Sequence, residues 1–435
     1  MREIIRQKIL DSQADALPRA TRRDVRLPRI RGKAIAVIGP RRAGKTTFLW
    51  QVMGDRMAAG HEREGLLYFN FEDERLADMT AAELHWIVEE YYTLHPQWRD
   101  RKRAVFLFDE IQIVPGWETF VRRMMDTERV DVFLSGSSAR LLSREVATAM
   151  RGRAMETLVF PFSFREFLRH RAQEPDLPAD RLPKAGRSVL DKALREYLTC
   201  GGYPEATVAD QRDRFELLRG YVDTMLLRDA IERHAVSNPL ALRWMARQLL
   251  CAPAGAFSVH KFHRDLSSQN IHVAKDTLHA YLAYLEDAFV VRMVSRASES
   301  VQQRNVNPRK AYPIDPGLIP VFDRSGRANL GHALETAVAL ELERRGAQTG
   351  YVRTATGREV DFLARYPNGE QDLIQVCASM DEPETRRRET QALLDAAEEH
   401  PRARPLLVTL SAGKGPAPPA PITPIPAPVW LLENP

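Results

Sequence analysis

Residues 39–46 read Gly-Pro-Arg-Arg-Ala-Gly-Lys-Thr, a turn bounded by glycines that then delivers a lysine and a threonine. Glycine lets a backbone wrap closely round an anion, so the spacing predicts a loop whose N–H groups converge on phosphate. Lys45 would set its ammonium against the β- and γ-phosphates of a nucleotide, and the Thr46 hydroxyl would ligate Mg²⁺. The cradle as a whole would comprise Gly39, Pro40, Arg41, Arg42, Ala43, Gly44, Lys45, Thr46 and Thr47. An ordinary junction with surface arginines is the bland alternative, and the flanks weigh against it. Lys33 to Ile38 is an apolar run of strand length, and TTFLWQVM (46–53) continues as a helix.

Such a loop needs acids on a second strand to hold the metal and orient water. RAVFLFDEIQIVPGW (103–117) supplies them, with Asp109 and Glu110 at the C-terminal end of an apolar run, where ligands sit in open α/β sheets. Asp109 would hold the hydration shell of the Mg²⁺, and Glu110 would act as general base toward water. GLLYFNFED (65–73) and VDVFLSGSS (130–138) read as two more strands. At the tip of the latter, Ser137 is a candidate to touch the γ-phosphate or the attacking water; it serves equally well as a helix N-cap. Strands alternating with helical stretches predict an α/β fold built on a doubly wound parallel sheet.

These elements must be carried by a chain of 435 residues, too long for one ordinary core, so two or three domains are expected. No apolar run is long enough to span a bilayer, which predicts no membrane partner, and the N-terminal stretch has no apolar segment of the signal-peptide kind. Three well-separated cysteines (Cys200, Cys251, Cys377) exclude a disulfide framework or a zinc module and suit a reducing cytoplasm. The net charge of +5 permits a nucleic-acid partner without requiring one. Arg19, Arg22, Arg23, Arg26, Arg29, Arg31 and Lys33 precede the loop and read either as a solvated basic arm or as an arm that binds DNA.

Five stretches in order, GPRRAGKTT, FLFDEIQIVPGW, SGSSARLL, RGRAMETLVFPFSFREFL and GGYPEA, extend the pattern beyond a generic phosphate loop. Together they resemble the bacterial and archaeal AAA-type P-loop ATPases that carry a C-terminal domain of unassigned function. The resemblance runs from about residue 31 to 410 and implies ATP hydrolysis with ATP and Mg²⁺ bound. It also implies an arginine that stabilises transition-state charge, often from a neighbouring subunit of a homo-oligomer. Arg151 and Arg153 are the candidates; a helix-terminal salt bridge is the alternative for each.

After a proline-punctuated linker the chain turns helical. Residues 241–297 read as helix, short helix (259–266), a turn at Asn270, a longer helix (274–286) and an apolar ribbon, the order of a helix-turn-helix with a wing. Lys275, Thr277, His279 and Tyr281 would face a DNA groove, while Arg292, Arg296, Arg304, Arg309 and Lys310 would approach phosphates. Such modules also bind proteins, and Leu278, Leu282 and Leu285 equally make this helix a core element.

Further on, a helix with Glu335 and Glu341, a strand pair with Asp361 and a strand reading Gln375-Val376-Cys377 resemble the core of PD-(D/E)xK nucleases. In that resemblance an acid and a lysine belong where Gln375 and Cys377 stand, so Glu335, Asp361, Gln375 and Cys377 form a degenerate site. Glu335, Glu359 and Asp361 retain enough oxygen donors to trap a metal. The expected organisation is a basic arm (1–32), a P-loop ATPase core (33–170), a linker and helical region (171–235), a winged-helix-like domain (236–312) and a nuclease-like domain with a proline-rich tail (313–435). The expected function is ATP hydrolysis coupled to DNA binding or remodelling. The alternatives are a nucleotide-dependent switch that recognises another protein and, more weakly, an ATP-regulated nuclease.

Overall fold

A computed structural model describes residues 1–136, 150, 152–298, 307–323, 329–410 and 416–433. Ser137, Arg151 and Arg304 therefore lie outside the described residues. The chain divides into two compact units, Met1–Phe160 and Pro161–Pro435. Among the described residues no helix is long and apolar enough to cross a membrane.

The first unit is a five-stranded parallel sheet of β1 (Ala34–Ile38), β2 (Leu66–Asn70), β3 (Ala104–Asp109), β4 (Val130–Gly136) and β5 (Ala154–Leu158). Its spatial order, β2-β3-β4-β1-β5, places the strand that feeds the phosphate loop beside β4 and one strand away from β3. Parallel strands are covered on both faces, which is why β1 and β3 are apolar and buried along their whole length. Phe48, Leu49, Val52 and Met53 of the helix Lys45–Ala58 pack on Val37, Val105, Leu107 and Phe133 of the sheet.

The basic arm expected over residues 1–32 is part of this core. Arg2–Ala14 is a helix that packs on β2 and on the helix His85–Leu94, with Ile5 and Ile9 wholly buried. Its Lys8 pairs with Asp73 at 2.5 Å. Arg23 is only 4% exposed, because its guanidinium donates to Ala43 O at 2.7 Å and to Phe160 O. Arg19, Arg22, Arg26, Arg29 and Arg31 stay exposed, whereas Arg23 is turned inward against carbonyls.

The second unit opens with the helix Phe164–His170, which expectation had placed in the first. Ser163 Oγ accepts from the Glu166 N–H at 3.2 Å, and the Ser163 N–H donates to Glu166 Oε2 at 2.9 Å, so the run FSFRE is a capping box. Phe162, Phe164, Phe167 and Leu168 pack into the second unit's core with Leu194 and Tyr197. A helical section follows. Next come the helix Pro239–Cys251, strand β6 (Ala256–Phe257), helices Val259–Ser268 and Lys275–Asp287, and strands β7 (Val291–Val294) and β8 (Arg309–Pro313). These three strands pair in the order β6-β8-β7, all antiparallel. Asn270, at φ 62, makes the tight turn between the two helices.

The last section is a mixed sheet. The helix Leu330–Arg344 precedes an antiparallel meander of β9 (Gln348–Arg353), β10 (Glu359–Arg365) and β11 (Gln371–Cys377). The helix Pro383–Glu399 then leads to β12 (Arg404–Thr409), parallel to β11, and β13 (Thr423–Pro426) joins parallel to β12. The proline-rich tail thus ends in an edge strand, and the short helix Ala427–Leu432 buries Trp430.

The Gly-Gly-Tyr-Pro stretch is explained by what presses on it. The Gly202 N–H donates to Asp315 Oδ2 at 2.6 Å, and the Gly317 N–H donates to Asp315 Oδ1 at 2.9 Å. A Cβ on Gly201, at φ 79, would stand 1.8 Å from Asp315 Oδ1, and one on Gly202 would stand 2.2 Å from Phe162 O. Replacing Asp315 with Ala strands two buried N–H groups, which should destabilise the second unit by roughly 2–6 kcal/mol and lower its urea midpoint. Burial pushes the Asp315 carboxyl up to about 7, against the pull of those N–H bonds. A raised folded-state value means stability that is complete below about pH 4 and is lost as pH rises through about 7. Urea midpoints across that window should fall more steeply for wild type than for Asp315→Asn, and equal slopes would refute the assignment.

Candidate nucleotide site

The loop after β1 is built around backbone that other residues cannot adopt. Gly39 has φ 153, and a Cβ there would meet Val159 O at 2.1 Å. Arg42 (φ 63) and Gly44 (φ 94) both lie in the left-handed region, and together they reverse the chain into the helix Lys45–Ala58. Phe48 N–H is the first to bond back, to Gly44 O at 2.9 Å, so the amides of Gly44, Lys45, Thr46 and Thr47 form the anion-attracting first turn. Arg23 braces the loop from behind through Ala43 O. Ala43 is buried, Arg41 is half-buried and Arg42 is exposed. The Lys45 ammonium donates to Gly39 O at 3.1 Å and to Pro40 O at 3.0 Å, which holds it over the concave side of the turn.

The sheet brings Asp109 and Glu110 to this loop. Asp109 is 1% exposed, and three hydroxyls donate to its carboxylate. Thr46 Oγ1 and the Tyr68 hydroxyl each reach Oδ2 at 2.7 Å, and Ser135 Oγ binds Oδ1. Ser135 also accepts from the Glu110 N–H at 3.2 Å and so fixes the turn in which Glu110 takes φ 55. Burial raises the pKa of Glu110, opposed by the nearby charge of Lys45 and reinforced by Asp109. Burial likewise drives the Tyr68 hydroxyl far above its ordinary value, with Asp109 adding to it, so Tyr68 remains a donor.

This donor set fits a hydrated magnesium ion. Thr46 and Asp109 offer hard oxygens 2.7 Å apart at the mouth of the loop, and Mg²⁺ takes one or two such ligands while keeping most of its waters. When bound, the ion would neutralise phosphate charge. Burial raises the basicity of Glu110, which accepts a hydrogen bond from Gln112.

Tyr68 and Ser135 were not among the residues singled out, and Arg23 was read only as part of a basic arm. Ser135 had a signal, as a polar residue one turn of the pleat before the strand tip; the other two had none. Arg153 is not brought to the site. Its carbonyl accepts from the Ala34 N–H at 2.8 Å, at the end where both strands begin, five residues or roughly 16 Å from the loop. Its guanidinium pairs with Asp126.

In the second unit Lys275 and His279 are exposed and Thr277 is half-buried. Tyr281 is 2% exposed and accepts from the Asn238 N–H at 2.9 Å, so it faces the core and no groove. Three of the cations expected at phosphates are held by the chain's own acids, while Arg296 donates to Arg353 O at 2.9 Å. Arg292 binds Glu343, Arg309 binds Glu286 at 3.2 Å, and Lys310 is 4% exposed among Glu335, Glu359 and Asp361. Lys310 therefore cannot meet a phosphate backbone, because its ammonium is buried among those acids. Gln375 donates to Glu389 Oε2 at 2.7 Å, and burial raises the Cys377 thiol, which donates to Ser379 O at 3.0 Å.

The AAA domain family model matches residues 31–168, and a domain of unknown function (DUF8612) matches residues 191–326. The uncharacterized protein MJ1544 of Methanocaldococcus jannaschii is 33% identical over 365 residues, covering 83% of this chain and 78% of that protein. An uncharacterized protein of Haemophilus influenzae is 28% identical over 349 residues, covering 80% and 82%. Among solved structures, the Walker-type ATPase PABY2304 of Pyrococcus abyssi is similar over 74% of this chain and 95% of that one, at 16% identity and a TM-score of 0.40. By its likeness to MJ1544 along most of both sequences, this chain belongs to the family of that protein, and it carries an AAA-type P-loop ATPase domain in its first unit.

Proposed function

We propose that the protein hydrolyses ATP with Mg²⁺ and couples nucleotide state to DNA binding by its second unit. The observation that carries the first half is the contact of Thr46 with Asp109, beside a basicity-raised Glu110. In this reading Lys45 and the first helical turn hold the phosphates, Thr46 and Asp109 hold the hydrated metal, and Glu110 removes the proton from water. Arg153 lies far from its own loop, so it would complete only the site of a neighbouring copy in a homo-oligomer.

The second half is supported by an element order: helix, β6, two helices about a tight turn, β7, β8, which is that of a winged helix. Its two middle helices expose His260, Lys261, Arg264, Lys275 and His279, a basic face of the kind that neutralises phosphates. One observation favours the alternative of a protein-recognition switch: the ribbon cations Arg292 and Arg309 are already paired with Glu343 and Glu286. The mixed sheet with its preceding helix follows the order of a PD-(D/E)xK core. We read it as catalytically degenerate, because Gln375 engages Glu389 and no acid stands at its position.

Two outcomes test this function. Lys45→Ala should abolish ATP binding by calorimetry, whereas Glu110→Gln should bind normally and lose about 10²-fold or more in phosphate release. Since burial raises its pKa, the acid limb of the wild-type rate profile should lie above the ordinary glutamate value. Equal loss of ATP affinity in the two variants would refute the division of roles. For DNA, fluorescence anisotropy with duplex and branched oligonucleotides should show affinity falling about tenfold or more between 50 and 200 mM salt. Replacing Lys261, Arg264 and Lys275 with Ala should flatten that slope without changing basal ATPase. No retention of any DNA form at 50 mM salt with ATP present would leave the protein switch as the reading.

A further inference from the structure

Lys310 occupies a place that its strand's composition does not explain. Its ammonium lies 3.2 Å from Glu335 Oε1, 2.9 Å from Glu359 Oε1 and 3.0 Å from Asp361 Oδ1. The face of Tyr351 closes a fourth side, with its ring centroid at 5.9 Å. Three carboxylates and an aromatic face around one point charge form a cation-binding shell. The carboxylates come from the helix Leu330–Arg344 and from β10, whereas the ammonium comes from β8, a strand of the other sheet.

The shell is held rigidly. The Tyr312 hydroxyl donates to Glu335 Oε1 at 2.9 Å, and the Val376 N–H donates to Asp361 Oδ2 at 3.0 Å. Glu335 and Asp361 are 8% and 7% exposed. The charges do not balance, since one ammonium faces the buried carboxyl groups of Glu335 and Asp361 and that of Glu359, which is exposed at the rim. Burial first, and then Asp361, push Glu335 up to about 8. Burial pulls the Lys310 pKa down, but Asp361, Glu335 and Glu359 together carry it above the ordinary lysine value, so it remains a cation. A further oxygen is at hand. Phe362 pairs with Ile374, which sets Gln375 beside Asp361 on the ladder. Gln375 is 5% exposed, and its Oε1 has no hydrogen-bond partner.

We propose that this cluster is a divalent-cation site whose cation the chain itself supplies: the Lys310 ammonium stands in the metal's place, excludes it, and fastens β8 to the mixed sheet. An oxygen shell at about 3 Å suits an ammonium, whereas Mg²⁺ needs oxygens at about 2.1 Å and Ca²⁺ at about 2.4 Å. A divalent ion and the ammonium could not share the same three oxygens, because two cations a few ångströms apart in a buried site repel strongly. The inference concerns the second unit alone and stands independently of the ATPase and DNA readings.

The probe is Mn²⁺ on the nucleotide-free full chain, counted by electron paramagnetic resonance. Lys310→Met keeps the length and apolar stem of the side chain and removes its charge. It should bind one more Mn²⁺ than wild type, and the added site should vanish in Lys310→Met with Asp361→Asn. Lys310→Arg, which keeps the charge, should gain none. In wild type, Asp361→Asn should leave the Mn²⁺ count unchanged. That last comparison decides even if Lys310→Met fails to fold. A fall in Mn²⁺ binding on Asp361→Asn in the wild-type background would show that a metal already sits there and would overturn the proposal. A folded Lys310→Met that gains no site would overturn it too.

Discussion

The Asp109 carboxylate is the point from which the first unit is organised. It is buried at the end of β3, and a buried carboxylate must be given donors or be protonated. The donors are hydroxyls from three different elements: Thr46 from the helix after the loop, Tyr68 from β2 and Ser135 from β4. One group thus ties the phosphate loop, both neighbours of its own sheet region and, through Ser135, the backbone of Glu110. The order β2-β3-β4-β1 is what allows this, because it sets β3 between the two strands that supply Tyr68 and Ser135. Any displacement of the loop helix is therefore felt at the Asp109 carboxylate and, through Ser135, at the backbone of Glu110.

The second unit solves the same problem twice in other ways. Asp315 is satisfied by backbone, since the glycines at 202 and 317 bring N–H groups closer than any side chain would allow. The cluster at Glu335, Glu359 and Asp361 is satisfied by a side chain, the ammonium of Lys310. Both devices connect sections far apart in the chain. Asp315 links the run after β8 to the Gly-Gly-Tyr-Pro turn, and Lys310 links β8 to the mixed sheet. The three-stranded sheet and the mixed sheet are therefore joined by charge as well as by apolar packing.

That pairing bears on how charge is read in this chain. Five basic residues of the ribbon and beyond were candidates for a phosphate backbone, yet Arg292, Arg309 and Lys310 are engaged by Glu343, Glu286 and the acidic cluster. Acids on the helices Lys275–Asp287 and Leu330–Arg344 and on β10 hold them against the protein. The exposed cations are instead on the two helices about Asn270, where Lys261, Arg264 and Lys275 face outward because Phe262, Leu266 and Leu278 fill the core side.

What the sequence by itself determined is whatever is local or repetitive. The phosphate loop is legible because its eight residues determine their own backbone path, and its glycines at positive φ have no substitute. Strands β1 and β3 are legible because burial on both faces writes a nearly continuous apolar run. The helices from Pro239 to Asp287 and the ribbon after them followed from periodicity and a turn at Asn270, whereas strand β6 was not expected. Only the tertiary structure decided which polar groups meet. Tyr68 lies 41 residues from Asp109, Arg23 lies 137 from Phe160, and Lys310 lies 51 from Asp361. No spacing rule encodes such pairs, because they depend on strand order and on which face each side chain takes. A lysine in a strand reads as a solvent-facing charge until the fold places three carboxylates around it.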